Sequence, residues 1–144
     1  MIRSATILGC AGLALTPDER AFFWRAQPWG FILFARNVQD ATQLTALTAD
    51  LRDAVGYDAP ILIDQEGGRV QRMRGPVWRQ WHPPLDQMAR AGVAGGARAM
   101  ALRYRLIADE LRAVGIDVNC APIADVARAD THPFLRNRLY GTDP

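Results

Sequence analysis

GFILFARNVQDATQLTALTADLRDAVGYDAPILID, residues 30–64, decides the architecture. It opens on GFILFAR (30–36), a continuous apolar run of strand length, and closes on a second such run, PILID (60–64). Between them Asp40 stands as an N-cap ahead of Leu44, Leu47, Leu51 and Val55 on one helical face, and Gly56 ends the helix. The alternation continues outward. Upstream, SATILGCAG (4–12) reads as a buried strand. Thr16-Pro17-Asp18-Glu19 then gives an N-cap, a proline at the first helical position and a Glu three residues after the cap, starting a helix that stops before Pro28. Downstream, Ala97, Met100, Ala101, Tyr104, Ile107, Ala108 and Leu111 recur at spacings of three and four in a helix ending at Gly115, and IDVNCAPIADV (116–126) supplies a fourth strand.

The predicted order is βαβαβαβ, an α/β fold. Strands that are apolar at consecutive positions predict a parallel sheet covered on both faces, with right-handed crossovers. Periodicity leaves two architectures open: an open doubly wound sheet, and the first half of a TIM-type (β/α)8 barrel. No GxGxxG follows the first strand, which disfavours a dinucleotide-binding sheet. In either architecture ligands bind at the carboxyl ends of the strands, where Arg36-Asn37, Asp64-Gln65-Glu66, Asp125 and then Arg138 fall. The connection 65–92 exceeds ordinary loop length and predicts a functional loop. The stretch ADTHPFLRNRLYGTDP (129–144) reads as turn-like with no closing helix or strand, so the sheet is expected to keep an exposed edge, as in a truncated domain.

With 144 residues, 49% of them hydrophobic and 22% charged, the chain can bury a substantial core in one domain or part of one. All 17 basic residues are Arg, against 15 acidic ones. The net charge of +2 implies neither a nucleic-acid nor a membrane partner. The lack of Lys excludes a Schiff-base lysine and a P-loop from residues 1–144. No apolar run reaches the roughly 18 residues of a membrane span, and MIRSATILGC is too short for a signal peptide, so a cytoplasmic location is expected. Cys10 and Cys120 lie far apart without a CxxC and read as buried thiols.

The segment DQEGGRVQR (64–72) is the richest in chemistry. Asp64 and Glu66, two residues apart, point to one side of an extended chain, and Gly67-Gly68 allow a sharp turn with close approach to a ligand. Arg69 and Arg72 offer planar five-donor forks suited to carboxylates or to hydroxyl and carbonyl oxygens, while Asp64 can accept from a pair of sugar hydroxyls. In the alternative reading Asp64 pairs with Arg69 or Arg72 only to tie down a loop. Asp64 with Asp125 would suit the two carboxylates of glycoside hydrolysis, and an Asp125 that orients an Arg or caps a loop is an equally good reading. Oxygen ligation of a metal by Asp64, Glu66 and Asp125 has no recognisable spacing behind it. His82 and His132 adjoin prolines and read as ordinary loop residues.

GFILFARN (30–37), ILIDQEGGRVQR (61–72), NCAPIADV (119–126) and RNRLYGTDP (136–144) together resemble the amino-terminal part of the glycoside hydrolase family 3 β-N-acetylhexosaminidases of bacterial peptidoglycan recycling. The resemblance implies a (β/α)8-type barrel of which residues 1–144 form the first part, a retaining mechanism, no cofactor or metal, and release of terminal N-acetylglucosamine from cell-wall muropeptides. It places Asp64, Arg72 and Arg138 at the positions that hold the sugar. The family's Lys-His pair, its mobile histidine acid/base and its Asp nucleophile are expected beyond residue 144, so no catalytic residue is assigned within the chain. Leu139 and LGCAG (8–12) depart from the family pattern around the first subsite. A β-glucosidase-like or phosphorolytic member of the family, and a non-catalytic sugar-binding half-barrel, are the rival readings.

Overall fold

The structure, a computed structural model, describes residues 2–143. Its elements run β1 (Ser4–Leu8), α1 (Pro17–Ala26), β2 (Pro28–Leu33), a 3-10 turn (Ala35–Asn37), α2 (Ala41–Val55), β3 (Ile61–Ile63), β4 (Gln65–Gly67), β5 (Val70–Gln71), α3 (Pro84–Arg112), β6 (Val118–Asn119) and α4 (Pro133–Arg136). β1, β2, β3 and β6 form a parallel sheet in that order, with Phe31–Leu33 opposite Ile61–Ile63 and Leu62–Ile63 opposite Val118–Asn119. Among the described residues the strand order follows the chain with no reversal.

The helix boundaries follow the sequence signals. Thr16 caps α1 by accepting from Glu19 N at 3.2 Å, and the Glu19 carboxylate returns to Thr16 N at 3.0 Å while also taking Ala11 N at 2.7 Å. One side chain thereby joins the helix start to the loop after β1. Asp40 accepts from Gln43 N at the start of α2, and Gly56 ends it in the left-handed region at φ +74°. Gln27 ends α1 at φ 46°, with its buried carboxamide donating to Trp24 O and Val55 O.

Helices cover one face of the sheet. Phe31, Leu33, Ile61 and Ile63 are wholly buried in one core with Phe23, Leu44, Leu47, Leu51, Ile107 and Leu111. Each such side chain contributes about 1.5–3 kcal/mol by leaving water. The alternate positions Ile32, Leu62 and Val118 are only half-buried, and Ile7 is 45% exposed. The expectation of two covered faces therefore fails: among the described residues, an apolar sheet face is left without a second layer. Among the described residues, no helix is long and apolar enough to cross a membrane.

Three further expectations are corrected. The segment 65–92 is not a structureless loop, since it contains the β4–β5 hairpin and the first part of α3. Gly92 (φ 68°, ψ 171°) breaks α3, and the bend lets Met88 pack on Gly96, so the two halves carry no continuous stripe that periodicity could detect. The fourth strand shrinks from 116–126 to Val118–Asn119, because the Asn119 side chain takes over the ladder partners and Pro122 has no N–H to donate. The last segment does contain a helical turn, α4, in which His132 Nδ1 accepts from Phe134 N at 3.1 Å. A single turn is too short to show a period.

The β4–β5 hairpin pairs Gln65 with Gln71 and Gly67 with Val70 across the two-residue turn Gly68-Arg69. Gly68 has φ +60°, the positive value that such a turn requires at its first position. Gly67 has φ +105°, and a Cβ there would fall on the Arg103 guanidinium and lie 2.9 Å from the His82 carbonyl oxygen. The close approach that the glycines permit is to Arg103 and to residues 81–83, not to open space for a ligand.

Two outcomes are expected from this packing. Gly67→Ala should lower stability by more than about 2 kcal/mol in urea unfolding, since both backbone strain and a collision with a buried cation follow; an unchanged midpoint would contradict the packing of the hairpin on Arg103. Thr16→Ala should cost about 1 kcal/mol. Backbone N–H bonds, Thr16 first, hold the Glu19 carboxyl below the usual carboxylate range. Its stabilisation is therefore full above the unfolded value of about 4.3 and is lost as pH falls through the lower folded value. Glu19→Gln, which removes the titrating group, should show a shallower acid limb in thermal unfolding measured against pH.

Candidate functional site

Asp64 follows β3 in step with Leu62, so it lies over the sheet face that the helices leave open. The hairpin brings Arg72 back to it: Arg72 Nη2 bonds Asp64 Oδ2 at 2.6 Å, with each side chain 24% exposed. Both groups are half-buried and still open to a ligand. Glu66 is different. It is 2% exposed, and its two oxygens take Arg138 Nε at 2.9 Å and Nη2 at 2.6 Å in a two-point ion pair. This pair, helped by the charges of Asp64 and Asp125, raises the Arg138 guanidinium pKa above its ordinary value, with the Glu66 hydrogen bonds as the largest cause.

Asp64, Arg72 and Arg138 are thus gathered in one cluster, with Glu66 as its fourth member. Cys120, one residue past β6, completes the wall. It is half-buried rather than buried, and its thiol pKa is pushed up by desolvation and then by the Asp64 and Glu66 charges. Arg69 is not part of the cluster: its guanidinium lies 3.4 Å from the Phe134 ring centroid and donates to Phe134 O, fastening the hairpin to α4. Asp125 is exposed, makes no ion pair among the described residues, and lines a cavity of about 310 Å³ with Asp130, His132 and Leu139. Asn37 is wholly buried and donates to Cys10 O and Gly12 O, a structural role. Among the described residues no group of three or more His, Cys, Asp or Glu is arranged to hold a metal.

Four polar residues support the cluster without a role assigned to them from sequence: Gln65, Gln71 and Arg103 are buried and Asn119 is half-buried. Gln65 Oε1 accepts from Arg72 N (2.9 Å) and Met73 N (3.1 Å) while its Nε2 donates to Met73 O (2.8 Å). Gln71 donates to Met73 O and Arg79 O and accepts from Trp81 N. A carboxamide donates and accepts at once, so the two glutamines pin residues 72–81 over the hairpin. Asn119 bonds both backbone groups of Gln65, at 2.9 and 3.1 Å. Arg103, 1% exposed, donates to Gln87 and to the Glu66 carbonyl. The buried positions of α3 include Gly96, Met100, Arg103, Ile107 and Leu111, so the available signal was an arginine standing on the apolar stripe.

Comparison with known proteins bears on the same region. Residues 16–144 match the glycosyl hydrolase family 3 N terminal domain. The chain is 36% identical over 141 residues to a beta-hexosaminidase of Stenotrophomonas maltophilia (strain K279a), and 35% identical over 144 residues to one of Xanthomonas campestris pv. campestris (strain B100). In each case 96% of this chain and 41% of the relative are covered, so the chain spans about two fifths of these relatives' length. Among solved structures, NagZ from Neisseria gonorrhoeae in complex with N-trifluoroacetyl-D-glucosamine superimposes with a TM-score of 0.84 at 28% identity, covering 99% of this chain and 43% of that one. A glycoside hydrolase family 3 beta-N-acetylglucosaminidase from Paenibacillus sp. str. FPU-7 gives 0.79 at 29% identity, covering 94% and 26%. A family match over residues 16–144, which hold β2 to β6 and the whole Asp64–Arg138 cluster, places the chain in glycosyl hydrolase family 3, as a member of its N-terminal domain.

Proposed function

We propose that this chain supplies the sugar-holding part of a β-N-acetylhexosaminidase. Asp64 accepts hydrogen bonds from hydroxyls of a terminal N-acetylglucosamine, while Arg72 and Arg138 donate to its oxygens. The observation that carries this reading is the cluster itself: Asp64 paired with Arg72, and Arg138 fixed beside them, at the carboxyl end of β3. One acceptor and two donor forks match a neutral ring that presents both hydroxyl donors and carbonyl acceptors. The beta-hexosaminidase relatives and the N-trifluoroacetyl-D-glucosamine bound to the NagZ neighbour support the same substrate class.

The four-stranded sheet is read as the first half of a (β/α)8 barrel, its uncovered face turned to the barrel interior. Four strands in chain order, apolar on both faces and covered on one, suit a wall that closes elsewhere. The complete enzyme acts with retention, through a glycosyl-enzyme formed on a carboxylate and an acid/base that first protonates the leaving oxygen and then activates water. Neither group is assigned to residues 1–144, and the 144-residue chain alone is expected to show no turnover. Muropeptides in the cytoplasm are the proposed natural substrate. Asp64, Arg72 and Arg138 orient the ring, an effect that can supply roughly 7–11 kcal/mol of barrier reduction at its upper end.

Asp64→Asn tests the assignment in a protein carrying the complete barrel, assayed with a chromogenic N-acetylglucosaminide. Loss of charge-assisted bonds of roughly 1.5–3 kcal/mol should lower kcat/KM about tenfold to hundredfold. Part of the loss should appear in kcat, because binding energy remote from the breaking bond helps to orient the reacting ring. Unchanged kinetics with a lower melting temperature would reduce Asp64 to a loop tie and remove it from the site.

A further inference from the structure

Glu66 stands two residues from Asp64, yet a ligand cannot reach it. Its carboxylate is buried and both oxygens are occupied by Arg138 Nε and Nη2. A guanidinium has five N–H donors, and two-point pairing along one edge leaves the other donors directed away from Glu66. Arg138 itself is carried by residues 137–141, which follow a single helical turn and belong to no strand or longer helix. Left free there, it would lose rotamer entropy each time it engaged a ligand.

Glu66 is in turn held from below. Arg103 of α3 donates to the Glu66 carbonyl and to Gln87 Oε1, and its guanidinium lies 5.5 Å from the Trp81 ring centroid. It occupies the space that a side chain at Gly67 would need. The next residue on α3, Tyr104, shares a hydroxyl hydrogen bond with Tyr140, two residues beyond Arg138. One helix therefore grips the hairpin that carries Glu66 and the segment that carries Arg138.

We propose that Glu66 is a positioning residue that sets the Arg138 fork for the sugar, with Arg103 fixing the backbone of Glu66. The inference rests on the reading of Arg138 as a sugar-binding group. Division of labour between the two carboxylates follows: Asp64 faces the ligand, and Glu66 acts only through Arg138. The Glu-Gly-Gly run is then explained by Glu66 as the clamp and Gly67 as the space for Arg103.

Nitrogen-15 NMR of the full chain tests this directly, with N-acetyl-D-glucosamine as the probe. In the unaltered chain, Arg138 Nε–H should give a sharp resonance protected from exchange, assigned by its loss in Arg138→Lys. In Glu66→Gln that resonance should broaden or vanish, and the sugar should bind about tenfold or more weakly, as expected for loss of a charge-assisted clamp. The pairing is also read by a cycle: Glu66→Gln combined with Arg138→Lys should bind within about threefold of Arg138→Lys alone. A persisting Arg138 signal in Glu66→Gln, or losses that multiply in the double variant, would overturn the proposal. Should Glu66→Gln fail to fold, Glu66→Asp keeps the charge but is too short to span both nitrogens; retention of a fully protected Nε–H there would overturn it equally. If Glu66→Gln abolishes the Arg138 signal but the sugar shifts no resonance of the unaltered chain, the clamp stands and the sugar-binding reading of Arg138 falls.

Discussion

The carboxamide of Asn119 bonds the N–H and the carbonyl of Gln65, and the polar end of the sheet depends on that exchange. β3 ends at Ile63 and β6 at Asn119, so without it the first backbone groups of the hairpin would sit half-buried without partners, at about 1–3 kcal/mol each. With it, Asp64 is held between two fixed points, the last ladder pair below and the Gln65 anchor above. Cys120, Asp64 and Glu66 are then neighbours because β3 and β6 are joined in register past the end of the regular sheet. A side chain here does the work of a strand, and it does so at the place where the chain leaves the sheet to build the site.

From that anchor the hairpin is assembled by buried amides and one buried cation rather than by apolar packing. Gln65 and Gln71 use donors and acceptors on residues 72–81, and Arg103 fills the cleft under Gly67. Such a network is stable only when nearly complete, since each unpaired buried donor costs free energy comparable to the bonds it could have made. It is also stiff: an amide that bonds Arg72 N and Met73 N together fixes the start of the Arg72 side chain. The apolar core on the helix face sets the sheet, and this polar layer sets where the guanidinium groups point.

That division explains what could be read from the sequence. The first three strands, α1 and α2 are legible because each is specified by its own residues: apolar runs, the Thr16 to Glu19 box, Asp40 and Gly56. Family resemblance then selected Asp64, Arg72 and Arg138, which the fold does gather together. Illegible were the features specified by distant partners. α3 was read as starting too late because Gly92 interrupts its period, and Arg103 was overlooked because a charge on an apolar stripe breaks the pattern used to find one. The glycine pair was read as space for a ligand, whereas a side chain more than thirty residues away occupies that space. Arg69, with the same motif credentials as Arg72, stacks on Phe134 instead, a contact that no local spacing encodes.

The charges in the cluster add a last constraint on what it can bind. Asp64 opposes Arg72 and Glu66 opposes Arg138, so the four groups sum to zero, and an exposed Asp125 lies close enough to add negative rather than positive potential. Two arginines held this way do not form an anion trap, because their charge is already balanced by carboxylates at 2.6 Å. What remains is direction: N–H groups on the free edges of two forks and lone pairs on a half-exposed carboxylate. Recognition then depends on placing neutral hydroxyl and carbonyl oxygens at fixed angles, where a misfit leaves a charged donor or acceptor without its partner. Under the proposed reading, the cluster gains selectivity for a sugar ring from the stiffness of its two ion pairs, and the stiffer of the two is the one buried out of the ligand's reach.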